Sequence, residues 1–504
     1  MRGQGLHPLL LAALLLLPPP ARPVDAASAP ALAAPGSASR PSPSMAPATL
    51  AASEPAPAAS TPAVPALDPS LPRWRALRVR AAAQAKAGDT AGLHATLEAL
   101  APLMPGSPRI TYNLAATEAR LGRRDDALQH LRQLADGGLE YDLSADDDFA
   151  DLAGDPEFRA LRQRLAAGAQ RTGAPRTLLA LPADDAIPEA ISPGPDGRWW
   201  VGSVRHCDVR DLAIPLAPAA APASARASAR SATRAGTRTT TRRGHAAPPR
   251  GPVAHAPIHL PAPVFGLAWD APRGVLWATV AAVPQGGGCG DASAWQEGRT
   301  ALLGLDVSRG GKLWRQVESP VPGVLGDLTV GPDGTVYVSE SLHGAVFRLR
   351  PGRASLERLD PPGEFASPQQ PVLGADGHTL LVPDYVRGLA TLDLSTTPPT
   401  LRWLPAAPGV FTAGIDGLVR DGDALLAVQN GTSPPRVVRF SMDGRRQQVL
   451  VSGTPGLGEP THGVVLGREF VFVSDVGWDR YDDEGQRRAD MPAARPAVQA
   501  LALP

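Results

Sequence analysis

The stretch GDLTVGPDGTVYVSES, Gly326 to Ser341, decides the fold. Leu328 and Val330 alternate with polar neighbours before Pro332-Asp333-Gly334, and Val336 and Val338 do the same after it. Alternation with a period of two buries one side of a strand, and glycine accepts the positive φ of a tight reversal, so this is one β-hairpin. The unit recurs as EAISPGPDGRWWVGSV from Glu189, FGLAWDAPRGVLWATV from Phe265 and QQPVLGADGHTLLVPDY from Gln369. It returns as IDGLVRDGDALLAVQN from Ile415 and THGVVLGREFVFVSD from Thr461, which makes six hairpins.

Further short strands follow each hairpin, for example AVFRLRPG from Ala345 and ASLERLD from Ala354. Four antiparallel strands form a blade, which cannot bury both faces alone and must stack on neighbours. The starts Gly326, Gln369, Asp416 and His462 lie 43, 47 and 46 residues apart, a blade-like period. The expectation is a mainly β fold, a six-bladed β-propeller over 174–504. RTLLALPA (Arg176–Ala183) and the C-terminal PAVQALALP compete to complete the last blade, and the sequence leaves that choice open.

At 504 residues the chain exceeds one ordinary core. Basic and acidic residues balance at 49 each, so net charge points to no polyanion and no nucleic-acid partner is expected. Arg2 followed by the apolar run Leu9–Leu17 and small residues at Ala26 and Ala27 reads as a signal peptide over 1–27. That run is too short to span a bilayer, so a secreted or periplasmic protein with no transmembrane span is expected. Residues 28–72 are Ala, Pro and Ser with almost no branched or aromatic side chain. Such a linker cannot bury enough apolar area to offset its ordering entropy and is expected to be disordered.

From 73 to 168 the periodicity becomes helical. Gly88 and Gly122 are 34 residues apart, as are Ala81 and Ala115, and Leu97 and Leu131. That period makes the segment resemble a tetratricopeptide pair, a small all-α domain tethered ahead of the propeller and able in principle to hold a peptide partner. A second low-complexity tract, 215–257, carries seven Arg between Arg226 and Arg250 and no acid, and is expected to be a disordered insertion in the first blade. The two cysteines, Cys207 and Cys289, follow equivalent strands of neighbouring units, which is compatible with either a disulfide or two free thiols. Asn430-Gly431-Thr432 fits a glycosylation acceptor, yet it also reads as a strand-end turn.

In a propeller, residues that open the first strand of a blade share a face with residues that close the second. The openers here include Glu189, Asp327, Gln369, Gln370, Asp416 and His462; the closers include Glu340, Asp384, Tyr385, Gln429 and Asn430. Carboxylates and amides meeting at one mouth suit an oxygen-ligated cation or a polar small molecule.

On these residues, 177–504 resembles the senescence-marker-protein/gluconolactonase family, also called regucalcin-like. Its members are six-bladed propellers, many of which hydrolyse lactones or related esters with one divalent cation in the channel. The resemblance implies a metal set of Glu189, Gln369 and Asp416, with Asp416 also the catalytic base, and a cation such as calcium, zinc or manganese. It implies a lactone or ester substrate, with Asp327, Asp384, Asn430 and His462 as rim or substrate contacts. Glu189 and Asp416-Gly417-Leu418 match the family openers; an Asn of the family falls on Gln369, and another falls on Gly326, which has no side chain. The alternative reading is a non-catalytic module in which helices and propeller recruit an envelope or peptide partner.

Overall fold

A computed structural model describes residues 70–144, 146–168, 171–183, 186–214, 256–287, 289, 295 and 298–503. The expected signal peptide, most of the expected first linker and the bulk of the Arg-rich tract lie outside the described residues. Six four-stranded antiparallel sheets follow one another along the chain as the blades of a β-propeller. Blade 1 spans 188–259, blade 2 264–318, blade 3 325–358, blade 4 372–403 and blade 5 415–452. Blade 6 takes Gly463–Leu466, Glu469–Ser474 and Ala497–Ala502 from the C-terminal end, and its outermost strand is Arg176–Ala180. Both competing segments are therefore used: the C-terminal strand is third in the blade and Arg176–Ala180 is fourth, pairing Arg176 with Ala500. The ring is closed by hydrogen bonds between the two ends of the propeller sequence.

The hairpin at Gly326–Ser341 forms as its sequence dictates. Val330 pairs with Val336 across the turn, Gly334 adopts φ +85°, and Asp333 Oδ1 accepts from Thr335 N at 2.9 Å. Its alternating apolar residues fill the space between blades. Leu328 and Val338 of blade 3 lie in one cluster with Trp277 and Leu302 of blade 2. Burying a side chain of that size contributes about 1.5–3 kcal/mol, and each blade can gain it only from a neighbour. Cys207 and Cys289 are joined as a disulfide, with Cα atoms 5.2 Å apart, linking the loops that follow the second strands of blades 1 and 2.

Among the described residues five α-helices precede the strands: α1 (Ser70–Ala87), α2 (Thr90–Leu100), α3 (Pro108–Arg120), α4 (Arg124–Asp136) and α5 (Pro156–Ala166). Ser70–Pro72, placed by sequence in the linker, open α1. Gly88 and Gly122 end α1 and α3 at φ +70° and +71°, which explains why glycine recurs at that interval. Asp89, Ser107 and Asp155 cap α2, α3 and α5 through side-chain oxygens that accept from the first-turn amides. Among the described residues no helix is long and apolar enough to cross a membrane.

The helices are not held at the end of a tether. They form one compact unit with the propeller. Leu71 N donates to Gly363 O at 2.9 Å, Thr412 N to Gly106 O at 3.1 Å and Glu140 N to Ser433 O at 2.7 Å. Two buried arginines fasten the seam. Arg387 donates to Leu103 O at 2.9 Å and to Ser70 Oγ at 2.7 Å, with its guanidinium 4.0 Å above the Trp403 ring. Arg436 donates to Gly137 O at 2.6 Å and to Gln429 Oε1 at 2.8 Å. Burial lowers the Arg436 pKa to about 10, so it stays charged at neutral pH. Gly363 and Thr412 lie on loops that enter first strands, Arg387 and Ser433 on loops that leave second strands, and Arg436 stands where the latter loop of blade 5 ends. The helices therefore sit on the mouth face, over blades 4 and 5.

Candidate functional site

The residues near the channel come from the start of a first strand or from just ahead of it, and in four of the six blades a local irregularity lies at that point. The pairing register shifts between Pro188 and Ala190, between Val264 and Gly266, between Leu325 and Leu328, and between Ile415 and Gly417. The residues inserted at these bulges are Glu189, Phe265, Gly326 with Asp327, and Asp416. A bulge leaves one residue outside the ladder and turns its side chain away from the regular alternation. Gln370 and His462 occupy the corresponding place in blades 4 and 6, just ahead of Val372 and Gly463.

Asp327, Asp416 and His462, all buried, can each bring one ligand atom within 4.8 Å of the others. His462 Nδ1 donates to Glu189 O at 2.7 Å, which orients the ring and turns Nε2 toward Asp327 Oδ1. Asn430 Nδ2 donates to Asp416 Oδ2 at 2.7 Å and to Pro460 O at 3.1 Å. Thr461 Oγ1 lies between Asp416 Oδ2 at 3.0 Å and Glu189 Oε1 at 3.3 Å, and Trp478 Nε1 donates to Glu189 Oε2 at 2.5 Å. The acceptors Asp327 Oδ2 and Asn430 Oδ1 have no hydrogen-bond partner among the described residues. Such oxygens cost free energy when buried unless something electropositive meets them. A cavity of about 10 Å³, enough for one water, touches Asp327, Gln370 and His462.

Electrostatics in this channel are tightly linked. Burial and the Asp416 charge push Glu189 up to about 8, so it is protonated at neutral pH. Burial also pushes Asp416 up to about 6, against the pull of His462. Burial by itself opposes a charged His462, but Asp327, Asp416 and Glu189 outweigh it and raise the imidazole to about 10. The channel thus holds protons where three carboxylates and an imidazole would otherwise repel or lose charge.

The sequence-derived candidates separate into two groups. Glu189, Asp327, Asp416, Asn430 and His462 come together in the channel. Gln369 does not join them: its amide donates to Ser367 Oγ at 3.1 Å, and its neighbour Gln370 faces the channel instead. Asp384 is not a rim contact. It is fully buried, with Oδ2 accepting from Ala366 N and Ser367 N and Oδ1 from Val386 N and Arg387 N, at 2.6 to 3.0 Å. Glu340 does the same work in blade 3 through Val324 N, Leu342 N and His343 N. Trp478 and Thr461 were missed by sequence reasoning; neither type nor spacing marks them, since Trp478 comes from a loop of blade 6.

A larger concavity, about 750 Å³, lies elsewhere, on the hairpin-turn side of blades 1 and 2 beside Trp200, Trp269 and Trp314. Its acids are engaged: Asp211 pairs with Arg198 and Asp306 with Arg309. The channel cluster, with unpartnered acceptors and shared protons, is the better candidate site despite its small volume.

No protein-family model and no curated protein sequence matches the chain significantly. Several solved structures are similar to it. A gluconolactonase from Xanthomonas campestris is 15% identical, with 67% of this chain and 92% of that one covered and a TM-score of 0.40. Regucalcin from Agrobacterium tumefaciens, a calcium-binding protein, is 15% identical over 66% of this chain and 94% of that one, with a TM-score of 0.41. Virginiamycin B lyase from Staphylococcus aureus is 15% identical over 58% and 80%, with a TM-score of 0.38. The protein is a six-bladed β-propeller with an acidic, histidine-containing channel, and its functional reading stands on its own side chains.

Proposed function

We propose that the protein is an exported, divalent-cation-dependent hydrolase of a lactone or related ester. The observation that carries this reading is the convergence of Asp327, Asp416 and His462 with buried acceptor oxygens left unpartnered. The residues fit a cation. The Nδ1 hydrogen bond to Glu189 O leaves Nε2 of His462 as a ligand atom, and hydrogen bonds to a ligating group's far side are what orient metal ligands generally. Asp327, Asp416 and His462 would hold the ion, with Glu189 and Asn430 behind them. A bound divalent cation would polarise a substrate carbonyl and acidify a water. Calcium, zinc and manganese all remain compatible with a mixed carboxylate and imidazole set.

The chain's own residues supply proton handling. Water adds to the ring carbonyl while Asp416 takes its proton. The ring C–O bond then breaks, and the same carboxyl returns the proton to the departing alkoxide, which gives a hydroxy acid. Asn430 and Thr461 hold Asp416 for that exchange, and Trp478 keeps Glu189 oriented. The disulfide between Cys207 and Cys289 supports a secreted or periplasmic location, since such bonds persist in oxidising compartments.

The test is to strip the purified protein of metal, titrate calcium, manganese and zinc, and assay a lactone and aryl-ester panel against Asp416→Ala. The expected outcome is one ion per chain and turnover that falls by roughly 100-fold or more in the variant. A chain that binds none of the three ions overturns the reading.

A further inference from the structure

The helices occupy the mouth face, and one side chain links them to the channel. Tyr385 follows the second strand of blade 4 and is 4% exposed. The ring shares one core cluster with Leu71 and Trp74 of α1, Leu97 of α2, Met104 of the connection between α2 and α3, Ile110 of α3, and Val386 of its own loop. Ahead of it lies Gly431. A Cβ built on Gly431 would stand 2.7 Å from the Tyr385 hydroxyl, so glycine at 431 is what admits the phenol. Gly431 directly follows Asn430, whose amide holds Asp416. The backbone agrees: Gly414 N donates to Tyr385 O at 2.7 Å, and Ile415 and Asp416 come next in the chain.

No hydrogen bond ties the Tyr385 hydroxyl among the described residues, although Tyr112 in the helices has one, to Asp146. A phenol buried to this extent usually finds a partner. Burial and the nearby Asp416 charge hold the phenol well above its ordinary pKa, so it is a donor at any working pH. Asp416, Glu459 and Glu189 are the acids around the phenol, with Arg109 of α3 the nearby cation; the hydroxyl makes no hydrogen bond to these carboxylates among the described residues, which leaves it for an oxygen brought in by the substrate.

We infer that Tyr385 is a substrate-contacting residue, its hydroxyl donating a hydrogen bond to an oxygen of the lactone or ester seated at the channel mouth. The inference rests on the hydrolase reading for its substrate class. The contribution of the helices is to fix the ring from behind, so that the donor needs no reorganisation as charge builds on the carbonyl oxygen. This gives the helical segment a place in the site.

The test pairs Tyr385→Phe, which keeps the ring packing, with a fluorine probe. In the metal-loaded protein, Tyr385→Phe is expected to keep its ion and its thermal midpoint, and to lose roughly 10- to 100-fold in kcat with little change in KM. Unchanged kcat/KM in that variant, alongside loss in Asp416→Ala, overturns the Tyr385 role and leaves the hydrolase reading standing. Independently, 3-fluorotyrosine placed at 385 in the Asp416→Asn background should shift its ¹⁹F resonance when δ-valerolactone is added. If the wild-type chain turns over nothing, the hydrolase reading falls, and the resonance alone decides: movement supports ligand contact and a fixed resonance overturns it.

Discussion

Residues that open first strands and residues that close second strands lie on the same face, are drawn from the same acids and amides, and are equally buried. Two sets of them do opposite things, although the closer Asn430 joins the channel. Asp384, Glu340 and Gln429 close second strands, and their polar atoms are taken up within their own blades, mostly by loop backbone groups; Gln429, for instance, donates to Phe411 O and Ala413 O at 2.8 and 2.9 Å and accepts from Arg436 Nε. Asp327, Asp416 and His462 open first strands or the loop before them, and they meet one another with acceptors to spare. The difference is one of geometry. A bulge turns an opener out of the ladder and into the channel, whereas a closer ends a regular strand beside the amides of two converging loops.

Exchanging the two groups for alanine sets that contrast at its widest. Asp416→Ala is expected to abolish metal-dependent turnover while urea unfolding barely moves. Asp384→Ala orphans four amides and should cost about 3 kcal/mol of stability, with the ion still bound in the folded fraction. Equal loss of stability in both variants would erase the distinction.

The next effect is a dependence on pH. Glu189 at about 8, Asp416 at about 6 and His462 at about 10 are all raised above their ordinary values. The folded state therefore binds more protons than the unfolded one across the intervals between ordinary and raised values. Stability contributed by these groups is complete below the ordinary values and is lost as pH rises through the raised ones. Metal-free protein should unfold more easily at pH 9 than at pH 6, and added cation, which replaces the held protons, should flatten that slope. Thermal melts at both pH values, with and without ion, measure it. A metal-free slope of the opposite sign contradicts the assignment.

The smallest expected effect separates two neighbours. Gln370→Ala should weaken ion or ligand binding several-fold by isothermal titration, because Gln370 borders the cavity and its Oε1 accepts from Leu418 N at 3.1 Å. Gln369→Ala should leave binding unchanged.

That pair also marks how far sequence could reach. The hairpins and their spacing were legible, because strand alternation and turn chemistry are local; the resemblance pointed to Glu189 and Asp416, of which Asp416 meets Asp327 and His462 while Glu189 stands behind them. Gln369 was preferred over Gln370 because alternation fails where a strand is bulged or replaced by loop, and a shift of one residue reverses which side chain faces the channel. Asp384 resembled a ligand because its four amide donors come from loops that only the fold brings together. His462 read as rim until Glu189 O gave its ring a direction. The seating of the helices was hidden for a related reason: Arg436 and Gly137 are hundreds of residues apart, and nothing in either neighbourhood announces the other.

The outermost strand of blade 6 carries a consequence for biosynthesis. Arg176–Ala180 precedes every other strand of the propeller along the chain, and its partner, Ala497–Ala502, follows them all. During translation the early strand can find that partner only after the other strands of the ring have been made. A nascent chain stopped ahead of Ala497 leaves blade 6 split and the ring open, so the presence of every blade is checked by the same hydrogen bonds that hold the ring shut.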